Sequence, residues 1–582
     1  MVRRAGDAPP YPPAMRRTAA ALATVLTAGL AAGVPPAAAA EPSTCGTPAD
    51  HQIADVQGSG TASPLTGRTV RVEGIVTADF QRPDQLKGFF IQDPTPDRDP
   101  RTSDGLFVYS TEEVAPGDRV LVTGTAVEYN GLTELSPVSA VDVCGTGRIA
   151  PARVRLPLRD GVDAPGVPPL ERYEGMLLRF GQRLTATEVY RLGRYGEVTV
   201  SAGGRLFQPT DGHGSTQAGN DARRLLVDDG SNVQNPDTIP YTDPRVLRIG
   251  DSAYGLTGVL GHGFGEYRLE PTRTVRFAAT DPRPEKPRHV GGDVRVASFN
   301  TLNWFTTLNR RGADTAEEQE RQLTKLAAAL KGLDADVVGL MEVENNGDTA
   351  VRAIVDRLNR DAGAATYAWV RHPYPGTDEI HVALIYRPAK VTPVGAARSA
   401  QDPVFDRPPL VQTFRPASGG TAFTMIVNHF KSKGCGGATG PDRDQGDGQG
   451  CYNARRVAQA EAIGALAAES ENPLVVGDLN AYTAEDPVKV LTGAGLVSQT
   501  QRFVRPGERY SYVFDGQSGE LDHALAGGSL SRRVTGATIW HVNSDEPVFL
   551  DYNTEYNPPR FYRPDAFRSS DHDPVLLGLD LR

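Results

Sequence analysis

The chain has 582 residues, room for about three to four domains, with 39% hydrophobic residues, 23% charged residues and a formal net charge of −10. Its 45 prolines and 62 glycines demand many turns and linkers, which excludes a simple helical bundle. The acidic balance excludes a uniformly basic surface that coats nucleic acid, but not a local cleft, where a bound cation can reverse the field.

Residues 1–40 read as an export signal. Arg16-Arg17 make a basic start after Met15, Thr18 to Val34 is apolar and alanine-rich, and Ala37 to Ala40 supply small residues for cleavage before Glu41. The apolar stretch is short and runs into Pro35-Pro36, which argues against a membrane span, and no later run is long enough to be one. The expectation is a secreted, extracellular protein without a membrane span, a monomer being favoured. Four cysteines follow the signal, an even number suited to an oxidising compartment. Of the three possible connectivities, Cys45–Cys144 with Cys435–Cys451 is the simplest; a cysteine zinc site would need closer paired spacing.

Residues 45–146 alternate in short strands broken by turns, such as Thr69 to Val76, Gly88 to Asp93, Gly105 to Tyr109 and Gly117 to Gly124. Five or so strands in this span predict a small barrel that resembles an OB-fold. Such barrels bind single strands through exposed aromatics, but the alternation makes Phe89, Phe90 and Phe107 core candidates. Residues 150–280 predict a second β-rich domain, and 281–292, within a Pro-rich polar stretch, a linker. From 293 to 582 strands alternate with helices. Val294 to Phe299, Val337 to Met341, Val382 to Tyr386, Thr424 to Val427 and Leu474 to Gly477 read as buried strands. Thr315 to Leu330 and Val351 to Asn359 read as helices, the first opened by a capping box of Thr315 and Glu318. The fold class is therefore multidomain, with an α/β layered domain last.

Polar clusters follow the strands of this last domain. They are Asn300; Glu342; Asn428-His429; Asp478 with Asn480; Asp522-His523; and Asp571-His572. Strand ends gather on one rim of an α/β sheet, where sites are built. Carboxylates, amides and histidines in this order suit metal-assisted cleavage of a phosphodiester.

The segments Ser298 to Phe305, Leu340 to Gly347, Asn428 to Ser432, Gly477 to Asn480, Leu521 to His523 and Ser570 to Val575 resemble the endonuclease/exonuclease/phosphatase superfamily, which contains deoxyribonuclease I. The likeness spans Val294 to Leu581. The Glu342-Val343-Glu344-Asn345-Asn346-Gly347 string, the Asp444 to Asn453 loop and the preceding barrel resemble its branch of secreted bacterial nucleases. The resemblance implies a four-layered α/β sandwich that hydrolyses DNA, with RNA as a second polymer. A phosphomonoesterase or sphingomyelinase-type phosphodiesterase is the alternative on the same fold.

A hard carboxylate such as Glu342 suits Mg²⁺, with Mn²⁺ or Ca²⁺ as supporting ions. The resemblance implies Asn300 and Asp571 beside it, Asp478 orienting the attacking water, and Asn480 on the phosphate. His429 and His572 would bracket the phosphate, with Asp522 fixing the tautomer of His572; which histidine is acid and which base stays open. The family's carboxylate partner of His429 could be Asp378 or Glu379. Glu344 reads as structural or as a substrate contact, and His372, His381, His523 and His541 as structural. The acidic loop 441–450 lacks the final glutamate of an EF-hand. Arg455 and Arg456, opening the next helix, are candidates to meet phosphate oxygens.

Overall fold

A computed structural model describes residues 45–158 and 166–582. The expected signal at 1–40 lies outside the described residues. Two compact units divide the described residues, the first holding 45–152, 166–178 and 258–268.

In the first unit, strands β1 (Thr69–Phe80), β2 (Gly88–Gln92), β3 (Gly105–Val108), β4 (Asp118–Tyr129) and β5 (Leu132–Thr146) close into a barrel in the order β1–β2–β3–β5–β4. Period-2 alternation turns Val70, Val72, Phe89, Ile91, Leu106, Val120 and Val122 into its interior. Phe90 and Phe107 face the other way yet are equally buried, packed with Phe80 and Val259. The adjacent phenylalanines thus serve two cores, and none is left to stack on a base. Cys45 and Cys144 are bonded, as are Cys435 and Cys451 in the second unit. In the chain-entropy model the longer loop stabilises by about 4.7 kcal/mol.

The second unit comprises 153–158, 179–257 and 269–582. Two six-stranded sheets form its body. One orders Ala368–Val370, Ile380–Tyr386, Val337–Glu344, Val294–Trp304, Val575–Leu579 and Val534–Ile539. The other orders Val391–Arg398, Leu410–Pro416, Phe423–His429, Pro473–Asp478, Asp522–Gly527 and Leu496–Ser498. Val294, Val296, Val382 and Leu384 of the first sheet share one core with Phe414, Met425, Val427 and Val476 of the second. The alternate residues Ala297, Phe299 and Leu340 point away from it, onto helices Ala316–Leu333 and Thr349–Ala362. Val411, Ile426 and Val475 likewise pack on helices Asn453–Ala468 and Asp486–Gly493. Helix Ala316–Leu333 starts at the expected capping box, with Glu318 N donating to Thr315 Oγ1. It buries Leu323, Leu326, Ala327, Leu330 and Leu333, an amphipathic stripe. Among the described residues no helix is long and apolar enough to cross a membrane.

Residues 179–257 join this body through charge. Arg248, fully buried, meets Asp545 at 3.3 Å and Glu546 at 3.0 Å, and Arg205 meets Asp545 at 2.7 Å. The 281–292 segment is anchored too: Arg283 pairs with Glu546 at 2.6 Å, and Pro284 O accepts from Trp540 Nε1 at 2.8 Å. Burial pushes the Asp545 carboxyl up, but Arg205 and Arg248 outweigh it and hold it at about 2. Because its folded value lies below the unfolded one of about 3.9, Asp545 stabilises the fold above that pH, and the contribution is lost as pH falls through about 2. Thermal unfolding from pH 5 to 2 should fall more steeply in the parent than in Asp545→Asn. At neutral pH that variant should lose about 3–5 kcal/mol, the range for breaking a buried pair.

Candidate active site

Strand register assembles the rim. Parallel strands Phe423–His429 and Pro473–Asp478 place His429 opposite Asp478, and the antiparallel strand Asp522–Gly527 places Asp522 on the other side of Asp478. Gly477 makes this approach possible: it sits at φ +134°, and a Cβ there would run into the Asn428 carbonyl. From the facing sheet, Asn300 Nδ2 donates to Asp478 Oδ2 at 3.4 Å. His429 Nε2 lies 3.5 Å and His572 Nε2 3.9 Å from the same oxygen. One Asp478 oxygen is thus approached by residues from three other parts of the chain.

Glu342 is aimed by an irregularity. Strand Val337–Glu344 slips register between Leu340 and Val343, and its neighbour slips between Asn300 and Trp304. Leu302, Asn303 and Glu342 have φ of +53°, +51° and +60°, left-handed values that cost non-glycine residues about 1–3 kcal/mol each where surroundings enforce them. Bulges of this kind re-aim side chains beside active sites. Asn303 N donates to Glu342 Oε2 at 2.9 Å.

The charges are arranged unequally. Burial works against the His572 imidazolium, but Asp522 and Asp478 outweigh it and raise its proton affinity well above the usual histidine range. Its Nδ1 donates to Asp522 Oδ2 at 2.7 Å, an oxygen that also accepts from Ser511 Oγ at 2.7 Å. Burial, then Arg407, His572 and Arg311, push His429 well below that range, so it is neutral. Burial lifts Asp478 to about 7. Burial and the neighbouring Asp571 also raise Glu342. Asn480 N donates to Asp478 Oδ1 at 2.8 Å, and Asn480 Nδ2 to Phe430 O at 3.2 Å. Asp571 is half-exposed, with Ser570 Oγ donating to it at 3.4 Å.

Among the described residues no three His, Cys, Asp or Glu side chains are grouped to enclose a metal. A hard cation such as Mg²⁺ takes one or two carboxylates and keeps its waters. The buried Glu342 carboxyl, raised by burial and by the neighbouring Asp571, and held beside the Asn300 amide, forms with Asp571 a donor set that a hard cation would relieve. The residues present fit the ion.

Other expected residues lie elsewhere. Neither Asp378 nor Glu379 reaches His429: Asp378 faces Arg311 at 3.5 Å and Arg407 at 3.9 Å, and Glu379 pairs with Arg310 at 3.0 Å. Among the described residues His429 Nδ1 has no hydrogen-bond partner. Arg456 is fully buried and donates to the carbonyls of Lys431, Cys451 and Gln449, which ties down the disulfide-clipped loop. Arg455 donates to Asp406 at 2.8 Å and to Val404 O at 3.2 Å. The structure brings neither arginine to the rim cluster. Glu344 is structural, accepting from Thr306 N, Thr307 N and Asn346 Nδ2. Asp444 and Asp447 accept from Gly446 N and Gln449 N within their own loop. His523 bonds the Ala481 carbonyl, and His541 bonds Asp573 at 2.9 Å.

Sequence reasoning missed the supports. Tyr512 packs against His572 with the rings tilted by 32° and their centroids 4.6 Å apart. Asn543 Nδ2 donates to His572 O, while its Oδ1 accepts from Ser569 N and Ser570 N. Arg407, almost fully buried, donates to Phe430 O. None carries a motif; Asn543, just beyond strand Val534–Ile539, had the strand-end position as its one signal.

Residues 297–572 match the family model of the Endonuclease/Exonuclease/phosphatase family. No curated protein sequence matches the chain. Similar solved structures include an endonuclease/exonuclease/phosphatase family protein from Bacteroides thetaiotaomicron (17% identity, 49% of this chain and 93% of that chain, TM-score 0.34). A humanized TDP2 of D. rerio is also similar (15%, 49% and 97%, 0.33), as is D. rerio TDP2 complexed with a single-strand DNA product (16%, 49% and 97%, 0.31).

Proposed function

With residues 297–572 forming a domain of the endonuclease/exonuclease/phosphatase family, whose members hydrolyse phosphoester bonds, we propose that this protein is a secreted, Mg²⁺-dependent nuclease acting on DNA and also on RNA. The observation that carries the reading is the shared oxygen of Asp478, within 3.9 Å of both His429 and His572 and bonded to Asn300. Glu342, Asn300 and Asp571 would hold the ion. When bound, it would neutralise the phosphodiester's anionic oxygens and stabilise the leaving alkoxide.

The remaining roles belong to the chain's own side chains. Asp478, with proton affinity near 7, is matched to take a proton from an attacking water at neutral pH. His572, held protonated by Asp522, stabilises charge on the phosphoryl oxygens and can give a proton to the leaving group. His429, neutral, hydrogen-bonds the phosphate, and Asn480 fixes it from the side of Asp478. The two core-bearing sheets with helices outside them support a deoxyribonuclease I-like four-layered sandwich. The strand order of the barrel supports an OB-like domain at 45–146, beside a β-rich domain at 150–280, a linker at 281–292, a catalytic domain at 293–582 and a signal at 1–40. Two disulfides suit an extracellular protein.

Incubation with DNA, RNA, sphingomyelin and sugar phosphates, with Mg²⁺ and with EDTA, tests this. Polynucleotide cleavage that EDTA abolishes is expected. Turnover of the lipid or the monoester alone would shift the assignment to that alternative.

A further inference from the structure

We propose that a row of unpaired arginines in the second unit is an accessory site for the phosphate backbone of a nucleic-acid strand. The choice of this polyanion rests on the phosphodiesterase reading. Strands Ala152–Val154 and Leu177–Glu188 are neighbours in one sheet, with Ala152–Val154 at its edge. Val154, Leu156, Leu178 and Phe180 point inward and are buried, so the alternate positions Arg153, Arg155, Arg179 and Arg183 all point outward and are exposed. Gln182 braces the two segments, accepting from Leu156 N and donating to Leu156 O. Between Arg179 and Arg183 stands Gly181, whose outward face is open space. The result is a shallow groove of about 390 Å³, lined by three of these arginines.

Arg183 also lines a second groove of about 500 Å³, with Lys286, Arg288 and Phe503 on its walls. Phe503 is 38% exposed. None of the four arginines, nor Lys286, has a carboxylate partner among the described residues, although 71 acidic side chains outnumber 61 basic ones in the chain. Like charges on neighbouring strands repel and lower stability, so leaving four together without counter-charge is unfavourable unless an anion meets them. Outward residues along one strand recur about every 6.6 Å, close to the separation of successive phosphates in an extended strand. Guanidinium groups bind phosphate oxygens bidentately, and an exposed ring beside a basic groove is the pattern of single-strand binding. The site therefore takes a single-stranded phosphodiester tract, apart from the residues that cut it.

The test is the full chain carrying Arg153→Gln, Arg155→Gln, Arg179→Gln and Arg183→Gln, beside a second variant with lysine at the same four positions. Binding of a fluorescein-labelled single-stranded DNA of about 30 nucleotides in EDTA is read by anisotropy across a salt series. The glutamine variant should bind at least about tenfold more weakly, with a log–log salt slope shallower by about 2–3, at about 0.7 per lost contact. The lysine variant should recover most of both. Hydrolysis of bis(p-nitrophenyl) phosphate in Mg²⁺ should be equal in all three proteins. Unchanged DNA affinity and slope in the glutamine variant, or a loss that lysine does not restore, overturns the site. So does a loss confined to binding of phosphatidylglycerol vesicles. Absence of small-ester hydrolysis in every protein would sink the catalytic reading instead, and the DNA affinities would still decide this one.

Discussion

Replacing His572 by glutamine should lower phosphodiester turnover by about 10²–10⁴-fold, the range that a positioned acid or base contributes. Glutamine keeps an amide able to donate to Asp522, so the fold should survive, but it carries no exchangeable positive charge. The imidazolium exists because Asp522 and Asp478 outweigh its burial. Asp522→Asn should therefore act through the same step. It removes the acceptor that fixes Nδ1 as the donor at 2.7 Å, as well as the charge that keeps the ring protonated. Groups acting as a unit lose activity non-additively. The double variant should be no slower than the slower single variant, within a few-fold, by steady-state kinetics on one oligonucleotide. Losses that multiply would show that the two residues serve different steps.

Glu342→Gln should separate activity from stability. Turnover should fall by on the order of 10³ or more, since a bound cation supplies several kcal/mol of charge stabilisation. In EDTA the same variant should melt at a higher temperature than the parent. Burial and the adjacent Asp571 make the ionised carboxylate unfavourable in the empty site, and a neutral amide removes that penalty. Added Mg²⁺ should raise the melting temperature of the parent, by linkage between binding and folding, and leave the variant unmoved. Equal Mg²⁺ stabilisation of both proteins would place the ion away from Glu342.

The rim was legible because each of its members stands next to a recognisable strand. A run such as Leu474-Val475-Val476-Gly477 predicts a buried strand from composition, and the side chain that follows must emerge at the end of the sheet. Hence Asp478, His429, Asp522 and His572 were readable, and the structure brings both histidines to one Asp478 oxygen, with Asp522 bonded to the other side of His572. Capping chemistry made Thr315 readable in the same way, and cysteine arithmetic reached both disulfides.

What could not be read depends on contacts between distant segments. Ser511 holds Asp522, Asn543 holds the loop before His572, and Arg407 crowds His429; all three are common polar residues in loops, without periodicity. Arg456 shows the converse. A charged residue opening a helix reads as exposed, but the disulfide loop folds back over it and offers three carbonyls in place of water. The paired bulges at Asn303 and Glu342 were equally hidden, since a left-handed φ at non-glycine residues has no sequence signature.

Diffraction from crystals soaked with Mn²⁺ and a thymidine dinucleotide, collected at the manganese edge, tests the convergence of these groups most directly. One anomalous peak should lie about 2.1–2.3 Å from a Glu342 carboxylate oxygen, allowing for an ion slightly larger than Mg²⁺, with the phosphate between His429 and His572. Manganese bound elsewhere, with a dinucleotide that leaves Asp478 and both histidines untouched, would contradict the site.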